Sequence, residues 1–188
     1  MKTLLDKSFF EYFLAENTES AEAQRIKEWN IVPVRELFFS EDLLDYCKSN
    51  VCGNYGKSWT CPPNCGSIED QKKKILFYSN ALVFTTVHDI EDSFDYEGMT
   101  LGREKHIDLT LEIRAALLQT TTDILVFGAG ACPVCQKCMF PDPCPYPEKR
   151  IGSIEAAGID VAELSKAAGI SYNNGQNTVT FFSMVLLR

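Results

Sequence analysis

The chain has 188 residues, 45% of them hydrophobic, which suits one domain with a core of its own and leaves two domains crowded. A formal net charge of −8 argues against the basic surface that a nucleic-acid binder presents to phosphates. The longest apolar run, Thr178 to Leu187, is too short for a bilayer span and is interrupted by Ser183.

The first 20 residues are polar and weakly patterned, with Asp6, Lys7 and Glu11 breaking any signal-peptide core. Residues 1–30 therefore read as an N-terminal extension or helix, ahead of a domain over residues 31–188. Ile31 to Phe39 is rich in β-branched and aromatic residues and predicts a strand. A short helix from Asp42 to Lys48 follows, then a loop from Ser49 to Gly66 full of Gly, Pro and Asn. Ser67 with Asp70 three residues on predicts a capping box opening a helix to about Tyr78. Lys72 to Lys74 on it read as a solvated face.

Ala81 to Val87 predicts a buried strand and His88 to Gly102 an acidic loop. Leu109, Ile113, Ala116 and Leu117 recur at helical spacing, so Arg103 to Thr120 predicts a helix. Ile124 to Phe127 reads as a short strand. Ser153 and Asp160 read as helix caps, the latter with Glu163 behind it and Gly169 ending the helix. Asn173-Asn174-Gly175 marks a turn before a last strand, Thr178 to Leu187. The expected fold is α/β of the mixed α+β kind: a single domain with a mixed sheet, flanking helices and two cysteine-rich loops.

All eight cysteines fall in two tight groups, Cys47, Cys52, Cys61 and Cys65, and Cys132, Cys135, Cys138 and Cys144. In the expected cytoplasmic setting thiols stay reduced, so such groups read as metal ligands or redox groups before disulfides. Four thiols per group is what a tetrahedral thiolate site or a cubane cluster needs.

The second group has the i, i+3, i+6 spacing that wraps a loop around a [4Fe–4S] cluster. Cys144-Pro145 supplies a further cysteine followed by proline, after five intervening residues where bacterial ferredoxins have three. Met139 and Phe140 lie in that interval and can shield a cluster from water. Zinc draws its ligands more naturally from two separated pairs, and it stays the alternative, with a thiol-only redox site behind it. The first group is irregular. It can hold a second cubane, a structural zinc, or give only some of its cysteines to a site shared with the second group. Tyr55 and Trp59 in its loop are candidates to exclude water from a cofactor.

The segments Cys52 to Pro63, Asp92 to Met99, Gly128 to Cys135, Ser153 to Asp160 and Tyr172 to Thr180 resemble, in order, an uncharacterised prokaryotic family of predicted cysteine-rich metal-binding proteins, a domain of unknown function. The resemblance covers about residues 30–188. It implies metal binding at Cys47, Cys52, Cys61, Cys132, Cys135, Cys138 and Cys144. Cys65 stands where that family often lacks cysteine, and Pro145 where it often has arginine.

His88 and His106 are the two histidines and the candidates for a non-thiolate ligand. The acidic residues Asp89, Glu91, Asp92, Asp95 and Glu97 suit either solvation or docking of a basic redox partner. No Ser-His-Asp set, P-loop or HExxH pattern is present. The sequence therefore points to an iron–sulfur protein holding two [4Fe–4S] clusters and passing electrons to or from a redox partner protein. The alternatives are an iron–sulfur enzyme with an open cluster iron and a zinc-stabilised interaction module.

Overall fold

The computed structural model describes residues 10–11, 26–119 and 123–187. In chain order the elements are β1 (Glu28–Pro33), α1 (Leu43–Lys48), α2 (Ile68–Leu76), β2 (Asn80–Asp89), α3 (Tyr96–Leu117), β3 (Ile124–Gly128), β4 (Gly152–Ser153), α4 (Val161–Ala168) and β5 (Thr178–Leu187), with single 3-10 turns at Val34–Glu36, Pro147–Lys149 and Glu155–Ala157. They form one mixed sheet in the order β1-β2-β5-β3-β4. β2 and β5 pair antiparallel along their whole length, from Asn80 opposite Leu187 to Asp89 opposite Thr178. β1 joins β2 and β3 joins β5, both antiparallel, while β4 lies parallel to β3 through Phe127 and Gly128 alone.

The central strands are apolar on both faces because both faces are covered. Ala81, Val83, Met184 and Leu186 pack with Ile75 of α2 and with Leu164 and Ala168 of α4. Leu82, Phe84, Val185 and Leu187 point the other way, onto Leu109, Ile113 and Leu117 of α3. A strand buried on both sides has no polar face, so its sequence reads as a continuous apolar run.

Most expected elements are present, with informative differences. The first strand starts at Glu28 and ends at Pro33, and Phe39 keeps only an isolated bridge to Ile159. The second runs from Asn80 to Asp89, longer at both ends than expected. The capping box of α2 forms as expected, with the Asp70 N–H donating to Ser67 Oγ at 3.1 Å and the Ser67 N–H to the Asp70 carboxylate at 3.1 Å, and the helix ends at Leu76. Asp160 caps α4 by accepting from Ala162 and Glu163, and Gly169 closes it.

The acidic stretch is not all loop: α3 begins at Tyr96, seven residues before the expected start at Arg103. Asp95 caps it, accepting from the Gly98 N–H at 2.7 Å and the Glu91 N–H at 3.0 Å. Gly98 and Gly102 disguise these first turns as loop. Gly102 is there for space, since a Cβ on it would meet the His88 ring at 2.9 Å. Ser153 is not the cap of a regular helix. It sits in β4 and accepts from the Ala156 N–H at 3.3 Å over one 3-10 turn, which Gly158 ends at φ 80°. Of the leading segment only Phe10 and Glu11 are described: Phe10 is buried, its ring 4.8 Å from that of Trp29. The rest of the helix expected in residues 1–20 lies outside the described residues.

Between the sheet and α3 runs a buried polar network. His106 Nδ1 bonds Thr86 Oγ1 at 2.9 Å and His106 Nε2 bonds Ser183 Oγ at 2.8 Å. Thr110 Oγ1 bonds the same Ser183 hydroxyl at 2.8 Å, and Thr86 also takes His88 Nε2 at 2.9 Å. His106 lies well inside α3 rather than at its start, and both its ring nitrogens are committed to this network, so it is not a metal ligand.

Burial pushes the His106 pKa down to about 4, with the charges of His88 and Arg103 adding to the effect against a hydrogen bond that the ring donates to the Phe182 backbone carbonyl. A folded-state pKa below the unfolded value of about 6.5 means that stability is present above pH 6.5 and is lost as pH falls from there toward 4. Denaturant unfolding at pH 7 and pH 4.5 is expected to show wild type losing about 2 kcal/mol more than His106→Gln across that interval. Equal losses in the two proteins would refute the assignment.

Candidate metal centre

The two cysteine loops meet at the end of β3. The second loop is the connection from β3 to β4, so the sheet pins both its ends. The first connects α1 to α2. Cys47 is on α1, where the Asn50 N–H returns to its carbonyl at 3.0 Å. Asn50 adopts φ 55° and its side chain accepts from the Tyr55 N–H at 3.0 Å, folding the intervening residues into a tight turn. The Cys65 N–H donates to the Cys61 carbonyl at 3.1 Å, which places these two cysteines on one short turn.

Each group gathers its thiols into one electrostatic neighbourhood. Burial pushes the Cys61 thiol up to about 11; Ser58 opposes this by hydrogen bonding, and Cys52, Cys65 and Cys47 add to it. Cys47 is raised by burial, by Cys52 and by Glu155. Cys65 is raised by burial and by Cys47, against its own backbone hydrogen bond and Lys74. In the second group Cys135 is raised by desolvation and then by Cys144, Cys132 and Cys138. Among the described residues no three His, Cys, Asp or Glu side chains converge on the position of a single metal ion.

Cys138 alone among the shifted thiols goes down. Desolvation opposes this, but hydrogen bonds from the Phe140 and Trp59 backbones and the Ser58 side chain, with the nearby Arg150 charge, outweigh it. Two of those donors belong to the first loop. N–H groups aimed at a sulfur favour its thiolate form, the form that ligates metal.

The segment Ser58-Trp59-Thr60 docks one loop onto the other. The Trp59 indole N–H donates to the Asp142 carbonyl at 2.9 Å, and its ring meets that of Phe140 edge-on at 5.0 Å. The Cys132 N–H donates to Thr60 Oγ1 at 3.1 Å, and Ser58 and Thr60 share a buried hydrogen bond of 3.2 Å. The Arg150 guanidinium lies over the Trp59 ring, 5.8 Å from its centre. All four thiols of the second group line one pocket, whose wall includes Trp59, Met139, Tyr146 and Arg150. Cys52 from the first group shares a separate depression with Cys132 and Cys135.

Of the four residues expected to shield a cofactor, Trp59 and Met139 line the thiol pocket, although Met139 is 49% exposed. Trp59 lines the pocket of the second group as well as the cavity that Cys65 of its own group lines. Phe140 lies against Trp59, and Tyr55 is not part of that pocket wall. Ser58, Thr60, Arg103 and Arg150 were not legible as site residues. The only sequence signal for the first two is that small hydroxyls flank a loop tryptophan.

These features define a protein with two cysteine-bearing loops clasped together on the rim of a mixed α+β sheet. Residues 30–187 match the family described as predicted metal-binding protein (DUF2284), and the chain belongs to that family. No curated protein matches the chain, and no solved structure does. No helix among the described residues is long and apolar enough to cross a membrane.

Arg103 of α3 holds the entry to the second loop: its Nε donates to the Ala129 carbonyl at 2.9 Å and its Nη2 to the Ala131 carbonyl at 3.2 Å. Between them Gly130 turns at φ 80°, and a Cβ there would stand 3.1 Å from the guanidinium. Outer groups that orient a ligand loop typically affect metal affinity about 10- to 100-fold. Arg103→Gln is expected to weaken metal retention about tenfold in competition with a chelator, with the circular dichroism of the metal-free proteins alike. Identical retention would show that the clamp is dispensable.

Proposed function

We propose that the two thiol groups hold iron–sulfur clusters and that the protein carries electrons to or from a partner. The observation that carries this reading is the second loop, where Cys132, Cys135, Cys138 and Cys144 ring one pocket with cluster-type spacing and a proline after the last. The donor set fits the group: four sulfurs, N–H and O–H donors at Cys138, and a wall of Trp59, Met139 and Tyr146. Such a cluster, when bound, accepts and returns single electrons.

The chain's own residues would do the rest. Hydrogen bonds to a ligating sulfur and a nearby positive charge stabilise the more negative, reduced state. Ser58, the backbone at Trp59 and Arg150 are placed to do this at Cys138. Cys52 lines one depression with Cys132 and Cys135, which supports a path between two centres. Asp89, Glu91, Asp92 and Glu97 are exposed and would face a basic partner, whereas Asp95 is committed to capping α3.

A specific observation favours a second reading, an enzyme with an open cluster iron. The Cys65 sulfur sits 3.6 Å from the Gly66 carbonyl and 3.8 Å from the Ala156 carbonyl, turned toward backbone acceptors, and it lines a different cavity from the second group.

Protein purified without oxygen is expected to be brown and to contain about four iron and four acid-labile sulfide per occupied group. Colourless protein carrying zinc would overturn the iron–sulfur reading. Cys138→Ser is expected to remove about half of the iron. Iron content unchanged in Cys65→Ser, with the first group still occupied, would move the balance to the enzyme.

A further inference from the structure

β4 is so short that it leaves the edge of the sheet unfinished. It pairs with Phe127 and Gly128 alone, and Ile124 to Val126 have a strand partner only on the β5 side. The space beside them is an open cavity of about 360 Å³, bordered by α2, the Pro147–Lys149 turn and the Glu155–Ala157 turn. That volume lies within the range of small-molecule sites.

The lining is chemically divided. Ile124 to Phe127 supply an apolar side, while Lys74, Arg114 and Arg150 bring three positive charges against the single carboxylate of Glu148. In a chain of net charge −8 this is a local inversion of sign. No ion pair among the described residues neutralises these charges, although Lys74 also acts on Cys65 and Asp70 and Arg150 on Cys138. Arg114 donates to the backbone carbonyls of Glu148 and Lys149, which carry no charge, and none of the three cations joins an ion pair among the described residues. Arg150 Nε is buried and has no hydrogen-bond partner, the one such side-chain atom among the described residues. A buried donor without a partner costs free energy, a cost relieved by any acceptor that comes to reach it.

From this lining we infer that the cavity is a binding site for a small carboxylate with an apolar body, its carboxylate against Arg150 and Lys74 and its hydrocarbon along β3. Neither the family description nor the cysteine spacing assigns this site. Its position joins it to both thiol groups, because Cys65 lines one part of it and Arg150 and Trp59 form the wall it shares with the second thiol pocket. The inference stands whichever metal the thiols take. Guanidinium and ammonium groups in a partly desolvated site favour a carboxylate strongly over a neutral molecule of the same shape.

Equilibrium dialysis of the full chain, purified without oxygen and with its metal, against radiolabelled benzoate tests this. Saturable one-site binding is expected, displaced by unlabelled benzoate and not by benzyl alcohol. Losing a charge-assisted hydrogen bond is expected to weaken binding about tenfold or more in Arg150→Gln, with Arg150→Lys retaining part of it. Lys74→Gln, at an exposed position that does not endanger folding, is expected to weaken it about threefold. No saturation up to about 10 mM overturns the inference. So do benzyl alcohol binding equally well, benzoate affinity unchanged in both Arg150→Gln and Lys74→Gln, and saturable inorganic phosphate binding without benzoate binding. Iron and sulfide measured on the same samples report on the clusters alone, so the two readings fail separately.

Discussion

Everything distinctive about this protein depends on Trp59 and its two neighbours crossing from one cysteine loop to the other. The indole spends its N–H on the Asp142 carbonyl and its ring edge on Phe140, while Thr60 receives the Cys132 N–H. Neither loop has regular structure of its own over most of its length, so its backbone groups must find partners in turns, side chains or the opposite loop. The clasp supplies several of them at once. It also carries first-loop donors to the second-loop sulfur of Cys138, which makes the environment of one thiol group a property of both loops.

The sheet provides the rigid base this clasp needs. β3 is tied to β5 and ends at Gly128, beyond which Arg103 of α3 fixes the carbonyls of Ala129 and Ala131 before the first cysteine of the second group. The same helix reaches the sheet through the His106, Thr86 and Ser183 network. Between an apolar core on one side and a loop of thiols on the other, α3 therefore acts as the common strut. A buried network of this sort fixes helix rotation, because each hydrogen bond is directional where hydrophobic contact is not. That rotation is what aims Arg103.

The brevity of β4 has the opposite effect: it opens the sheet instead of completing it. Basic side chains from α2, from the end of α3 and from the turn before β4 gather over the exposed edge. A net negative chain with a concentrated positive cavity attracts small anions to one place and repels them elsewhere. Cys65 and Trp59 tie that cavity to the thiols, so binding chemistry and metal chemistry share walls here.

The sequence determined what depends on spacing along the chain. The two cysteine groups, the capping box at Ser67 and Asp70, the Asp160 to Gly169 helix and the last strand are local patterns, set by residues a few positions apart. It misread Tyr96 to Gly102 because Gly98 and Gly102 are weak helix formers, and only the packing of Gly102 on the His88 ring shows why glycine is needed. It also could not see that Trp59 lines the pocket of the second thiol group, that Thr60 holds Cys132, 72 positions away, or that Arg150 has a buried nitrogen without a partner. Those relations join residues far apart in the chain, and only the closing of the sheet brings them within hydrogen-bonding range. The grouping of the cysteines was thus written in the spacing, while the surroundings of each sulfur were decided by tertiary contact.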